Sequence, residues 1–168
     1  MALRYEQNQQ QPVLRKMTID DIPEVMEIEH EAFTLPWTEE AFRNELTMNH
    51  FARYMVMVID GRTIGYAGMW TIMDEAHVTN IAIREAYRGR KLGEALLVEL
   101  MNWALELGML RMTLEVRVSN EIAQQLYMKL GFSNAGIRKG YYSDNNEDAM
   151  IMWCELAEAQ GHLEGSVE

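Results

Sequence analysis

The sequence predicts one α/β domain, a mixed α+β sheet with helices on both faces. Three observations carry that prediction. Helix and strand patterns follow one another in the order β-α-α-β-β-β-α-β-α-β-β. The central strand, long helix and strand have the form of a crossover, which makes its two strands parallel. The chain has 168 residues and 48% apolar content, enough for one domain with a sizeable core. No repeat or linker divides it. Residues 12–157 are the expected domain, residues 1–11 a loose Gln-rich arm, and residues 158–168 a small, polar tail.

The elements follow in order. "PVLRKM" reads as a short first strand. In "DDIPEVMEIEHEAF", Ile22, Val25, Met26, Glu29 and Phe33 fall near one helical face. Asp20 or Asp21 can cap that helix, and Pro23 suits its first turn. Pro36 breaks the pattern, and Thr38 is a good N-cap for a second helix, with Glu39 and Glu40 at its positive end. "RYMVMVI" and "TIGYAGMWTI" are strand-like, and Asp60-Gly61 between them marks a hairpin. "HVTNIAI" is a third strand, with Ile81 and Ile83 pointing one way. A long helix then runs to Leu107 and stops at Gly108. "MTLEVRV" is a strand, "NEIAQQLYMKL" a helix with Asn120 as a possible cap, and Gly131 ends it. "SNAGIRKGYY" and "EDAMIMWCEL" are two closing strands.

Composition narrows the function. The net charge of −11 disfavours nonspecific nucleic-acid binding and makes a basic partner the better match. Acidity also keeps a protein soluble. No apolar run approaches the ~20 residues of a membrane helix, and "MALRYEQNQQQ" has no apolar leader core. The one cysteine, Cys154, cannot form an internal disulfide, which points to a reducing, cytoplasmic setting and a small buried residue. His30, His50, His77 and His162 lack paired ligand spacing, so no metal site is expected.

The chemical signal lies in "YRGRKLGEALL", Tyr87 to Leu97. Two glycines and three cations lead into an apolar helical pattern. A helix N-terminus presents free N–H groups and partial positive charge, and a glycine turn lets an anion approach them. The lysine–hydroxyl pair of a Walker loop is absent, as is GxGxxG. By pattern alone the segment is either an anion loop or an ordinary turn.

Arg88-Gly89-Arg90-Lys91-Leu92-Gly93 resembles the Q/R-x-x-G-x-G/A pyrophosphate loop of the GNAT family of acetyl-CoA-dependent N-acetyltransferases. It differs at Lys91, where the family has glycine; a residue in helical geometry there still offers its N–H. The resemblance runs from about Val13 to Leu156. "FTLPW", "NIAI", "LEVRVSN", "LYMKLGF" and "YY…EDAMIM" are similar to the subgroup that acetylates the N-terminal alanine of a ribosomal protein.

That resemblance implies a set of roles. Acetyl-CoA would be held by Arg88, Gly89, Arg90, Lys91, Leu92, Gly93 and Glu94 at the pyrophosphate. The backbone of Ile81, Ala82 and Ile83 would hold the pantetheine arm as an added strand and supply an oxyanion donor, and Asn120 would touch the cofactor further along. Glu115 stands at the general-base position; alternation alone also allows a solvated carboxylate beside Arg117. Tyr127 stands at the general-acid position; its helical stripe with Ala123, Leu126 and Leu130 also suits a core aromatic. Pro36, Trp37, Tyr141 and Tyr142 would flank a peptide groove, with Trp37 equally placed to staple two helices. No residue suits a covalent nucleophile, so direct transfer to a basic protein N-terminus is expected. Two alternatives stay open: a GNAT enzyme acting on a small amine or lysine side chain, and a non-catalytic acyl-CoA sensor.

Overall fold

Alternation along the strands sets the architecture. The computed structural model describes residues 11–159. Its strands are β1 Val13–Lys16, β2 Ala52–Ile59, β3 Arg62–Ile72, β4 Glu75–Ile83, β5 Arg111–Arg117, β6 Ser133–Tyr142 and β7 Glu147–Glu155. Its α-helices are α1 Ile22–Ala32, α2 Glu39–Thr47, α3 Leu92–Glu106 and α4 Glu121–Lys129. The strands form one sheet in the order β1-β2-β3-β4-β5-β7-β6. Every neighbouring pair is antiparallel except β4 and β5, which α3 connects as a parallel crossover. On β2, Tyr54 and Val56 join Ile22, Val25, Ile28 and Phe42 of α1 and α2 in one core. Met55 and Met57 point the other way, into a core with Leu97, Leu100 and Met101 of α3. The sheet is thus covered on both faces, as predicted. No helix among the described residues is long and apolar enough to cross a membrane.

Several boundaries form as their residues dictate. The Thr38 hydroxyl accepts the Ala41 N–H at 3.1 Å and caps α2. Asp60 (φ 52°) and Gly61 (φ 75°) are both left-handed, the shape of a two-residue hairpin turn. Gly108 (φ 85°) closes α3. Asp21 departs from expectation. It sits at the head of α1 without a capping bond. Its carboxylate instead accepts both Arg15 guanidinium nitrogens at 2.7 Å and the Thr18 N–H at 2.8 Å, tying β1 to the helix start. Phe33 lies just beyond α1 in extended backbone and is exposed, so it is not part of the apolar stripe. Leu156 and Ala159 are buried in the α3-side core, so packing continues past residue 157. Residues 1–10 of the expected arm and 160–168 of the expected tail lie outside the described residues.

Two details of β3 and β4 matter for the site. Gly68 pairs with Asn80 and Met69 with Val78, so Thr79 is an extra, bulged residue. Opposite it, a Cβ on Gly68 would come within 2.1 Å of the Tyr54 ring, and only glycine lets that ring lie against the strand. The Tyr54 hydroxyl then meets the Thr79 hydroxyl at 3.0 Å.

Glu29 is the unusual core residue, 1% exposed. It accepts the Trp37 N–H at 3.1 Å and the Tyr66 hydroxyl, with the Asn80 amide beside it. Burial raises its pKa, because the charged form loses its water; the hydrogen bonds pull the other way and only partly offset this. A raised folded pKa means that the folded state favours the protonated acid. The Glu29 contribution to stability is therefore greatest below the ordinary carboxylate range and is lost as pH rises through the folded pKa. Glu29→Gln keeps a neutral hydrogen-bonding group of the same size. Chemical denaturation across a pH series should show the variant gaining on the wild type as pH rises from about 4.5, then levelling off. A constant difference at all pH values would mean that Glu29 does not titrate in the fold.

Candidate active site

The site is built where two strands part. β4 and β5 are paired only through Glu75–Arg111, Ala76–Met112 and His77–Thr113. Beyond them β4 bends at its Thr79 bulge, and its remaining length has no partner on the β5 side. Backbone groups of successive strand residues point to opposite edges. The Arg84 N–H donates to the Ile64 carbonyl at 2.7 Å, toward β3, and Ala82 lies opposite Tyr66 in the same ladder. The backbone groups of Ile81 and Ile83 therefore face the gap, and those of Ala82 face β3. Of the three residues expected to hold the pantetheine arm, two offer backbone groups and the third supports them.

The glycine-rich segment before α3 follows directly. Gly89 (φ 80°) and Lys91 (φ 59°) are both left-handed, and α3 starts at Leu92 with no side-chain cap. This corrects the expectation of helical geometry at Lys91. The residue keeps the left-handed backbone that glycine adopts readily, at a cost of about 1–2 kcal/mol for a side chain there. The turn leaves the N–H groups of Leu92, Gly93 and Glu94 free of any helical partner. A Cβ on Gly93 would sit 3.8 Å from Ile83, so the backbone there is open toward the gap. The Arg88 Nε donates to the Ile83 carbonyl at 3.1 Å, Arg90 stacks 5.3 Å over Tyr87, and Glu94 pairs with Lys129 at 2.7 Å. These residues fit the diphosphate and pantetheine of a coenzyme A thioester: free donors and cations sit at one end of the gap and an unpaired strand edge runs along it. Among the described residues, no three His, Cys, Asp or Glu side chains gather as a metal-binding group.

Glu115 and Tyr127 lie on opposite sides of the sheet. Leu114 and Val116 enter the core beneath α3, so Glu115 points to the α1 and α2 face. Tyr127, on α4, packs on the α3 side with its ring 6.0 Å from Phe132, and burial raises its pKa. Glu115 and Tyr127 both act electrostatically on the Tyr142 hydroxyl, whose pKa is pushed up to about 12, chiefly by burial. The Glu115 partner is not Arg117. His77 Nε2 lies 3.1 and 3.0 Å from the two Glu115 oxygens, and this contact raises the pKa of His77. Arg117 instead pairs with Asp144 at 2.8 Å and Glu147 at 3.2 Å, and stacks 4.0 Å over Tyr142.

The flanking segments meet each other. The Thr34 hydroxyl donates to Asp144 at 2.6 Å, joining the α1–α2 loop to the β6–β7 loop. Pro36 and Trp37 line an open groove of about 810 Å³ with Ala41, Glu45, Met48 and Trp70. Trp37 also stacks 5.4 Å from Phe42, so it is both staple and groove wall. A second cavity, of about 500 Å³, is lined by Trp70, His77, Thr113, Glu115, Ile151 and Trp153. Trp70 belongs to both. Tyr141 and Tyr142 stand together on β6, ring centroids 5.0 Å apart. Asn120 caps α4 through its Oδ1, 3.2 Å from the Ala123 N–H, which leaves its amide nitrogen available. Cys154 is buried, which raises its thiol pKa to about 11, as suits a packing residue. The sequence reading missed His77 and Trp70 as site residues. Both alternate correctly to face Glu115, but only the strand register brings them there.

Comparison with known proteins adds the chemistry. Residues 22–132 match the acetyltransferase (GNAT) family model. A Bacillus subtilis protein whose name assigns it provisionally as a ribosomal protein bS18-alanine N-acetyltransferase is 49% identical over 145 residues, covering 86% of this chain and 96% of that one. The Escherichia coli K12 ribosomal protein bS18-alanine N-acetyltransferase is 38% identical over 136 residues, covering 79% of this chain and 89% of that one. The crystal structure of the ribosomal-protein-S18-alanine N-acetyltransferase from Escherichia coli superposes with a TM-score of 0.80 at 32% identity, over 87% of this chain and 94% of that one.

The pairing of His77 with Glu115 can be read directly. In an NMR titration, the His77 ring should titrate above 6.5, its ordinary value, because the carboxylate favours the imidazolium. Replacing Glu115 by Gln should lower that midpoint. An unchanged midpoint would show that the two side chains do not interact in solution.

Proposed function

The chain belongs to the GNAT family of acetyltransferases, and from that premise we propose that it transfers acetyl from acetyl-CoA to the N-terminal alanine of a ribosomal protein in the cytoplasm. It is an acetyl-CoA-dependent N-acetyltransferase, and the thioester supplies an activated acyl group. What supports the narrower reading is the 49% and 38% identity to proteins named for that activity, beside a carboxylate and a phenol placed on opposite faces of the sheet.

The residues act as follows. The free N–H groups of Leu92, Gly93 and Glu94, with Arg88, Gly89, Arg90 and Lys91, bind the diphosphate. Ile81 and Ile83 hydrogen-bond the pantetheine arm, Ala82 backs them, and Asn120 offers its amide. Glu115 Oε takes the proton from the incoming α-ammonium, and an N–H of the β4 edge faces the charge that develops on the acyl oxygen. Tyr127 stays protonated, since its pKa lies above the usual 10, and its Oη gives a proton to the departing sulfur. Transfer is direct.

The α-amine suits this site better than a lysine. Its pKa is about 7.7–8.0 against about 10.4, so freeing the neutral nucleophile at pH 7 costs roughly 3 kcal/mol less. Pro36 and Trp37 line one groove, Tyr141 and Tyr142 stand together on β6 outside it, and the Thr34–Asp144 contact ties the loops that carry the two sides, an arrangement that would admit a chain end. Glu39, Glu40, Asp144, Glu147 and Asp148 around it favour a basic peptide.

Mass spectrometry of peptides incubated with enzyme and acetyl-CoA is the test. A peptide starting with alanine and rich in arginine should be acetylated on its α-amine, more slowly at high salt and not at all once that amine is blocked. Acetyl groups mainly on internal lysines would establish the lysine reading instead. No release of CoA with any amine would establish a sensor.

Tyr127→Phe keeps the packing and removes the hydroxyl. Turnover should fall by ~10²-fold or more with little change in melting temperature. Full activity would leave Tyr127 a core residue.

A further inference from the structure

His77 is the one side chain that hydrogen-bonds the Glu115 carboxylate among the described residues, and it reaches both oxygens from the last paired position of β4. The Glu115 side chain is 13% exposed and that of His77 41%, so the imidazole stands between the carboxylate and solvent. Trp70 holds the imidazole from the β3 side, edge-on at 6.3 Å. We propose that His77 is a positioning residue for the transfer: its Nε2–H fixes the Glu115 carboxylate toward the incoming amine, and its loss of charge frees that carboxylate to act as base. This rests on the reading of Glu115 as the base.

The chemistry is as follows. While His77 is an imidazolium, the Glu115 carboxylate is held as one half of an ion pair, Nε2 to oxygen at 3.0 Å. When His77 gives up its Nδ1 proton to solvent, its Nε2–H still bonds Glu115. The carboxylate keeps its direction and is released from the ion pair. It then breaks one N–H bond of the substrate ammonium and forms its own O–H bond. The amine lone pair is released for attack, and the Glu115 proton later leaves to solvent. His77 passes no proton in this step, because its Nε2 already carries one.

Other charges bear on His77. Glu75 and Asp74 lie on its own side of the β3–β4 turn, drawn toward Arg111 of β5 at 3.6 and 3.9 Å. Arg138 of β6 opposes the imidazolium. Glu45 of α2 reaches this wall through Trp70, whose indole N–H it accepts at 2.9 Å. Glu115 outweighs Arg138, since the net effect favours the charged ring.

The test is the pH dependence of kcat/KM for one alanine-starting peptide in the wild type, His77→Gln, His77→Ala and Glu115→Gln. The peptide's own amine contributes equally to every profile, so differences belong to the enzyme. Gln retains an N–H donor but cannot titrate. Its acid limb should move to lower pH, and it should restore most of the plateau rate that His77→Ala loses, about tenfold. The KM for acetyl-CoA should stay unchanged in both. Acid limbs that overlay in the wild type and His77→Gln overturn the charge role. A fully active His77→Ala overturns the positioning role. If Glu115→Gln is active at every pH, the base reading itself fails and this inference with it; an inactive Glu115→Gln beside wild-type-like His77 variants sinks only the inference.

Discussion

The site depends on β4 and β5 staying paired for only three residues. A full parallel ladder would satisfy both edges and close the sheet. The Thr79 bulge prevents this by bending β4 immediately after His77, and Gly68 makes room for the Tyr54 ring that holds the bulge through its hydroxyl. Three features surround that one defect. Ile81 keeps its backbone groups and Ile83 its N–H free of a strand partner, α3 starts beside the opening, and the proposed base and acid, Glu115 and Tyr127, lie on opposite faces of the sheet.

Polar groups in the first core hold the opening in place. Glu29 fastens the loop at Trp37 to α1 and to Tyr66 of β3, while Glu45 gathers Trp70, Asn49 and the Tyr54 hydroxyl on α2. Buried carboxylates are expensive, and hydrophobic replacements would often pack as stably. Here they place two loops and two aromatic walls relative to the bulge, which apolar contacts alone would leave free to slide. Asn80 Oδ1, buried without a hydrogen-bond partner, marks the remaining cost of that arrangement.

Much of this was legible in the sequence, for local reasons. Thr38, Asp60-Gly61 and Gly108 act through their own backbone, so their positions predict helix and hairpin ends. The crossover around α3 follows from the order of elements. Asp21 was misread because its partner, Arg15, reaches it from a strand whose approach no helix rule describes. Lys91 looked like an ordinary helical residue because a left-handed φ leaves no mark on a lysine side chain. The roles proposed for Glu115 and Tyr127 rest on resemblance, since alternation and helical stripes equally suit a solvated acid and a core aromatic. The link between Glu115 and His77 depends on register across 38 residues of sequence, which periodicity within either strand does not encode.

The sheet order places β7 between β5 and β6. During synthesis, β6 with Tyr141 and Tyr142 therefore emerges before the only strand that can seat it. At about 5–20 residues per second the wait is short, yet throughout it β1 to β5 can pair with one another while β6 has no neighbour to pair with. The outer edge of the sheet is thus the last to be seated, and it cannot pair until residues 147–155 are available to it.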